Sequence, residues 1–221
     1  MVAPLALVMG DLDRVLVAWR LSPASHQFEP PADEATIAAA EEALGRPLPD
    51  ALKTLYRFSN GMEPLGGNLM VQPLTESADG GLVGLGDRLR SWEWPVPDDV
   101  LMFGGNGADD QFGLWYPPGT PGSEPTPVVM IGAVFEPASL ALAGTDFARF
   151  LRAWSGYYLV LDEAPADALD ALGLPDALRR FDGAAGLAPY FRWADPTLTD
   201  PDPDPYERGL DAAGIAALIR R

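Results

Sequence analysis

The order of helix-like and strand-like patterns is the feature that most limits the folds open to this chain. A pair of amphipathic helical patterns comes first, between Asp33 and Phe58. Short apolar or aromatic runs follow, and stretches rich in Gly and Pro separate them, as is typical of strands joined by hairpins. These runs span residues 69–74, 100–104, 112–116 and 128–131. Spacing this short leaves little room for crossover helices, so we expect a largely antiparallel sheet.

Signals at helix ends complete this plan. Asp33 is a good N-cap, and Gly45 is suited to the left-handed conformation that ends a helix. A later helix is predicted from a cap at Thr145 to about Gly156, with a broad apolar face. A helix pair, then a sheet, then a helix predict an α+β fold in which helices flank the sheet.

The chain divides by pattern into three parts. Residues 1–27 are expected to form an N-terminal helical extension, residues 28–160 the α+β domain, and residues 161–221 a C-terminal extension. Short helices are predicted in the C-terminal extension over residues 166–172 and 175–181. We find no internal repeat.

The end of the C-terminal extension changes character. Residues 195–207 contain five acids, four Pro and no basic residue, which predicts an extended, solvated linker. A final helix is predicted over residues 211–221, where Ile215, Leu218 and Ile219 share one face.

The net charge restricts the kinds of partner. Lys and Arg total 15 against 32 Asp and Glu, which gives a charge of −17 at pH 7. Nucleic acids and anionic membranes bind basic surfaces, so both are argued against, whereas a basic protein partner fits. Lys53 is the single Lys, and the Arg- and Ala-rich composition suggests a bacterial source. With no convincing signal peptide and no apolar run long enough to span a bilayer, we expect a cytoplasmic protein.

The composition also excludes much catalytic chemistry. The chain has no Cys and one His, His26, so thiolate nucleophiles and Cys- or His-pair metal sites are excluded. A Ser-His-Asp triad would have to use His26, which lies at a break between helices, and no Gly-x-Ser-x-Gly elbow exists. We therefore predict a protein without enzymatic activity, cofactor or metal. A hydrolase that uses pairs of carboxylates is retained as an alternative, although no spacing singles out a pair.

Two short motifs resemble ligand loops. Gly105-Asn-Gly107 invites a phosphate-loop interpretation, but Asp109 and Asp110 follow and would repel phosphate, so a hairpin turn is the better prediction. The acidic repeat that starts at Asp200 matches the opening of a calcium loop. However, Pro205 stands at the sixth position, where that loop needs Gly, so a charged linker is the better prediction.

Aromatic residues beside acids give the candidate binding residues. Trp92 and Trp94 lie in a polar segment before Pro95, and Trp115 precedes a Pro-rich stretch. Exposed Trp residues are frequent contact residues in interfaces, and packing in the core is the alternative for each. The candidate partner-binding residues are Trp92, Trp94, Asp109, Asp110 and Trp115. We expect the acids, together with Asp98 and Asp99, to steer a basic partner, with a solvated acidic face as the alternative.

The order of these motifs resembles the SUKH superfamily. Residues 30–49 and 52–61 are similar to its opening helices and the Asn-Gly stop. Its central hairpin and closing strand-to-helix segment are matched by residues 100–107, 112–115, 135–137 and 145–151. The resemblance covers about residues 28–156.

The resemblance implies a SUKH-like binding module without catalytic chemistry. The superfamily includes fungal cell-wall-assembly regulators and many bacterial proteins that bind and neutralise toxins. It therefore implies a cytoplasmic immunity protein that occludes a basic toxin, such as a nuclease. The two extensions beyond the short family members leave a housekeeping regulatory or scaffold protein as the alternative.

Overall fold

The computed structural model describes residues 9–23, 26–75, 80–108, 110–116, 127–132 and 140–198. In chain order, the helices there are α1 (Asp11–Leu21), α2 (Glu34–Leu44), α3 (Asp50–Phe58), α4 (Gly81–Ser91), α5 (Phe147–Leu161), α6 (Ala166–Leu172) and α7 (Ala188–Ala194). The strands are β1 (Gln27–Phe28), β2 (Met62–Glu63), β3 (Met70–Val71), β4 (Val100–Gly105), β5 (Gln111–Trp115), β6 (Val128–Ile131) and β7 (Ala141–Gly144).

All seven strands form one antiparallel sheet. Each strand pairs with its neighbour in the chain, so the order across the sheet is β1 to β7. The predicted α+β class and antiparallel sheet are confirmed. The predicted run 69–74 is shorter as a strand, because only Met70 and Val71 pair with β4.

The inner face of the sheet packs on α5 through aromatic side chains. Phe103 of β4 and Phe112 of β5 point to this face, and Phe150 and Trp154 of α5 lie against them. The Phe112 and Trp154 ring centroids are 5.0 Å apart in an edge-to-face arrangement. Such pairs favour a defined geometry in addition to burying apolar area.

The outer face presents the alternate residues of the same strands. Met102, Trp115 and Val129 belong to a second apolar cluster, which Leu85 and Leu89 of α4 complete. Strand residues alternate between faces, so β4 to β7 separate the two clusters. All four positions of β6 are buried, which shows that the sheet is covered on both faces.

The helix α4 corrects the prediction for this region. The sequence pattern predicted only a stretch rich in Gly and Pro between the runs 69–74 and 100–104, yet a three-turn helix begins at Gly81. Leu82, Leu85 and Leu89 supply the apolar stripe of that helix. Gly84 and Gly86 weaken the local helix signal, because glycine disfavours helix interiors by about 1 kcal/mol each.

Other helix ends follow the predicted signals in part. The Asp33 side chain accepts a hydrogen bond from the Thr36 N–H at 2.8 Å, and Gly45 has a φ of 65°, as predicted. The N-cap of α5 is Asp146 rather than Thr145, and this helix continues to Leu161 rather than ending near residue 156. Of the predicted helices in the C-terminal extension, α6 is confirmed, while 175–181 holds a single 3-10 turn.

The described parts of both extensions pack on α5. α1 lies against α5 and α6, and α7 lies against α5. The Trp19 indole N–H donates to Ser155 Oγ at 3.0 Å, and Arg152 pairs with Asp11 at 2.6 Å. Side chains from α1, α6 and α7 belong to the same buried cluster as the inner face of the sheet. The predicted final helix over 211–221 and the acidic repeat from Asp200 lie outside the described residues.

The start of the predicted acidic linker is folded. Asp195 is 1% exposed, and its carboxylate accepts hydrogen bonds from the Thr145 N–H at 2.9 Å and the Thr145 hydroxyl at 2.6 Å. Arg149 Nη1 lies 3.2 Å from the same carboxylate. The prediction of a solvated linker is therefore wrong at Asp195, because basic and hydroxyl partners 46 and 50 residues away satisfy its charge.

Candidate protein-binding surface

The C-terminal end of α4 positions the most exposed Trp of the described chain. The Trp94 N–H donates to the Leu89 carbonyl at 3.1 Å, and the Glu93 N–H donates to the Arg90 carbonyl at 2.9 Å. Glu93 has a φ of 64°, in the left-handed region. Together these features form a Schellman motif, which reverses the chain sharply at the end of a helix. Glycine is the usual residue at this position, so Glu93 holds a conformation that costs about 1 kcal/mol or more.

This turn places Trp92 and Trp94 in different environments. Trp92 is 63% exposed, while Trp94 is half-buried and packs on the outer-face cluster. The packing of Trp94 on this cluster, which includes Leu89, is the apolar contact that commonly accompanies a Schellman motif. Trp94 therefore holds the loop on the core, and Trp92 is available to a partner.

Trp115 lies inside the protein and contacts the end of the loop that follows α4, residues 92–99. It is 2% exposed, so it cannot contact a partner directly. Its indole N–H donates to Asp99 Oδ2 at 2.7 Å, and the Tyr116 N–H donates to the Asp99 carbonyl at 2.8 Å. Of the two interpretations of Trp115, core packing is the one that fits, and its polar edge fixes the end of the loop at Asp99.

Asp110 is also buried, and it closes the hairpin between β4 and β5. Its side chain accepts a hydrogen bond from Asn106 Nδ2 at 2.8 Å, while the Asp110 and Ala108 N–H groups donate to Asn106 Oδ1. The predicted hairpin turn is confirmed, and the carboxylate of Asp110 faces this turn rather than solvent. Asp109 lies outside the described residues.

Charged side chains lie on the last turns of α4 and on the segment that follows it. We call Asp87, Arg88, Arg90, Trp92, Glu93 and Asp98 the Trp92 surface. Arg90 pairs with Asp87 at 2.8 Å and with Asp98 at 3.6 Å. The Arg88 guanidinium carbon lies 5.7 Å from the centroid of the Trp92 ring, within the range of a cation–π contact. Three acids against two Arg leave this surface only slightly negative, so long-range attraction of a basic partner would come from the charge of the whole chain.

A shallow groove over β1, β2 and β3 is a second concave surface. Glu29, Glu63 and Gln72 line it together with Met70. It contains two carboxylates and no basic side chain among its described lining residues. The groove is more acidic than the Trp92 surface, and its described lining includes no aromatic residue.

The single His has a structural position. Its Nε2 lies 2.9 Å from Ser22 Oγ, and its Nδ1 accepts a hydrogen bond from the Leu65 N–H at 2.9 Å. His26 thus joins the end of α1 to the turn after β2, more firmly than a linker residue would. In the described part of the chain, no group of three or more His, Asp or Glu side chains is placed to hold a metal ion.

This architecture defines an α+β domain whose described surface offers an exposed Trp at a helix end. Sequence comparison identifies the family: the model of the SMI1 / KNR4 family (SUKH-1) matches residues 31–153. Since the match spans more than half of the chain, the protein belongs to this family, whose members bind proteins as immunity proteins or regulators. No curated protein is similar enough to this chain to count as a match.

The family match covers the core of the fold but not its ends. It begins before α2 and ends within α5, so α1, α6 and α7 lie outside it. The Trp92 surface lies within the matched region. Across the described residues, no helix has the length and apolar character needed to cross a membrane.

Proposed function

We propose that this protein is a non-catalytic, cytoplasmic immunity protein that occludes a basic toxin domain, such as a nuclease. Membership of a family of protein-binding proteins supports a protein partner. The charge of −17 supports a basic one, because opposite charges speed the encounter of two proteins. A protein that covers a basic substrate groove would block access of nucleic acid to it.

The exposure of Trp92 is the observation that supports the Trp92 surface as the binding site. Its side chain is 63% exposed, yet the backbone on either side is fixed by the Schellman motif of α4. An exposed Trp held by rigid backbone loses little conformational freedom on binding, which favours a strong contact. Truncation of such a contact residue typically costs about 2 kcal/mol or more of binding free energy.

The five candidate residues divide into two roles in this proposal. Trp92 is the direct contact, with Trp94 at its base and Asp109 as an acid that attracts the partner. Trp115 and Asp110 act indirectly, because they hold the loop at Asp99 and the β4–β5 hairpin in place.

The test starts from the full-length protein in the cells that naturally produce it. The tagged protein is purified at about 0.1 M salt, and bound proteins are identified by mass spectrometry. One stoichiometric basic polypeptide that dissociates as salt rises is expected. A set of household proteins, or no bound protein, would instead favour the regulatory or scaffold alternative. That alternative has its own support, since α1, α6 and α7 add a helical layer outside the family match.

Two variants then locate the surface. Trp92→Ala should weaken binding by about thirtyfold or more. Phe181→Ala is the matched control, because Phe181 is also an exposed aromatic residue (46%) but lies after α6. Equal affinities of the two variants would refute the Trp92 surface.

A second pair of variants tests the electrostatic contribution. Asp87→Asn with Asp98→Asn removes the two exposed acids that pair with Arg90 on the Trp92 surface, and Glu29→Gln with Glu63→Gln removes two from the groove over β1 to β3. The first pair should slow association more than the second. The reverse order would place the partner on the groove. If neither variant changed the association rate at low salt, electrostatic steering would be refuted.

A further inference from the structure

On the outer face of the sheet, buried side chains extend past the strand that α4 contacts. α4 makes its extensive sheet contacts with β4, and β5 separates β4 from β6. Nevertheless Val129 and Ile131 of β6 and Leu142 of β7 are at most 7% exposed. Apolar side chains on a sheet face become buried only when a further layer packs on them. The question is which part of the molecule supplies that layer over β6 and β7.

The described chain ends at the edge of the sheet next to this face. Thr145 follows β7 directly, and it bonds to Asp195 and lies 3.1 Å from Thr197 through the two hydroxyl oxygens. Arg149 Nη1 donates to Thr197 Oγ1 at 2.8 Å. These bonds bring the chain from α7, on the inner side, to β7, the last strand in the described sheet order. Leu198 then packs against both the inner and the outer cluster.

The sequence after Leu198 has the length and pattern to continue onto the outer face. Residues 199–221 follow, and the predicted final helix carries Ile215, Leu218 and Ile219 on one side. Residues 199–210 can span about 40 Å when extended. Three neighbouring strands of a sheet are together only roughly 14 Å wide, so the segment is long enough to cross β7 and β6. We propose that residues 199–221 form an intramolecular cover, with this apolar stripe packed on β6 and β7.

The two segments that flank β6 in the chain are competing occupants. Residues 117–126, before β6, contain no aliphatic or aromatic side chain other than Pro, so they offer little to an apolar face. Residues 133–139, after β6, offer Val134 and Phe135. The C-terminal segment is favoured over both, because it has three apolar side chains at helical spacing and because Leu198 already lies in the outer cluster.

A spin label tests the position of the segment directly. The chain has no Cys, so Ala217→Cys introduces a unique labelling site on the predicted polar side of the final helix. A nitroxide there should broaden the amide resonances of β6 and β7 far more than those of α6, which lies on the other side of the sheet. Broadening elsewhere, or no broadening, would overturn the proposal.

A pair of full-length variants tests the contact itself. Leu218→Asp places a charge in the proposed interface, and Ala217→Asp places the same charge one residue away on the opposite side of the predicted helix. Amide exchange in β6 should become at least about tenfold faster in the Leu218 variant than in the Ala217 variant. Equal protection of β6 in the two variants would overturn the cover, including in the case that residues 133–139 supply it.

Discussion

The buried carboxylate of Asp195 gives the most specific prediction about stability. One oxygen accepts from the N–H and hydroxyl of Thr145, and the other accepts from Arg149 Nη1 and from the N–H and hydroxyl of Thr197. In Asp195→Asn one oxygen becomes an NH2 group, which faces donors on whichever side it lies. The variant therefore loses one charge partner of Arg149, which also pairs with Asp146 at 3.0 Å, and at least two accepted hydrogen bonds.

The magnitude follows from these contacts. Hydrogen bonds to a charged group contribute about 1.5–3 kcal/mol each, and the lower desolvation cost of Asn offsets part of the loss. We expect the free energy of unfolding to fall by about 3 kcal/mol. For a chain of this length, that corresponds to a decrease in Tm of roughly 6–12 °C.

Urea denaturation of the full-length protein measures this change. Glu42→Gln is the control, because it removes the same charge at an exposed position of α2 and should stay within about 0.5 kcal/mol. A double-mutant cycle with Arg149→Gln should show a coupling energy of about 1 kcal/mol or more. A loss below about 1 kcal/mol for Asp195→Asn would refute the reasoning, since the network would then contribute no more than an exposed ion pair.

Three further changes test other parts of the structure. Glu93→Gly should stabilise the protein by about 0.5–1 kcal/mol in urea denaturation, because glycine relieves the left-handed conformation at the end of α4; a destabilised variant would contradict this. Gly104→Ala should cost more than about 3 kcal/mol, because a Cβ there would collide with the Met70 carbonyl of β3, whereas Gly107→Ala should be close to neutral. Partial burial raises the pKa of the Asp162 carboxyl, but the residue is largely exposed, so its ionised form opposes folding only weakly above that pKa, and the opposition disappears as the pH falls through it. Asp162→Asn should accordingly have the higher Tm at pH 7, and the Tm difference should vanish on acidification; a difference that grows on acidification would show the opposite sign.

Much of the fold could be predicted because its signals are local. The caps at Asp33 and Gly45 depend on a few neighbouring residues, and the structure has both as expected. Short apolar runs separated by Gly and Pro allow few connections other than hairpins, so the antiparallel sheet followed. α4 was missed because Gly84 and Gly86 weaken its pattern, although the spacing of Leu82, Leu85 and Leu89 was a signal that could have found it.

The candidate surface depended on tertiary structure for a different reason. Trp92, Trp94 and Trp115 are the same residue type in similar sequence surroundings, so composition cannot rank their exposure. Their exposure is set by the hydrogen bonds that end α4 and by the pairing of β5 with its neighbours.

The sequence by itself determined the α+β class, the largely antiparallel sheet and the exclusion of Cys chemistry, since each rests on residue types and short spacings. Only the tertiary structure decided that Trp92 is exposed while Trp115 is buried, and that Asp195 is enclosed rather than solvated. The physical reason is that burial and charge satisfaction depend on partners distant in the chain. Asp195 finds its partners 50 residues away at Thr145 and 46 residues away at Arg149.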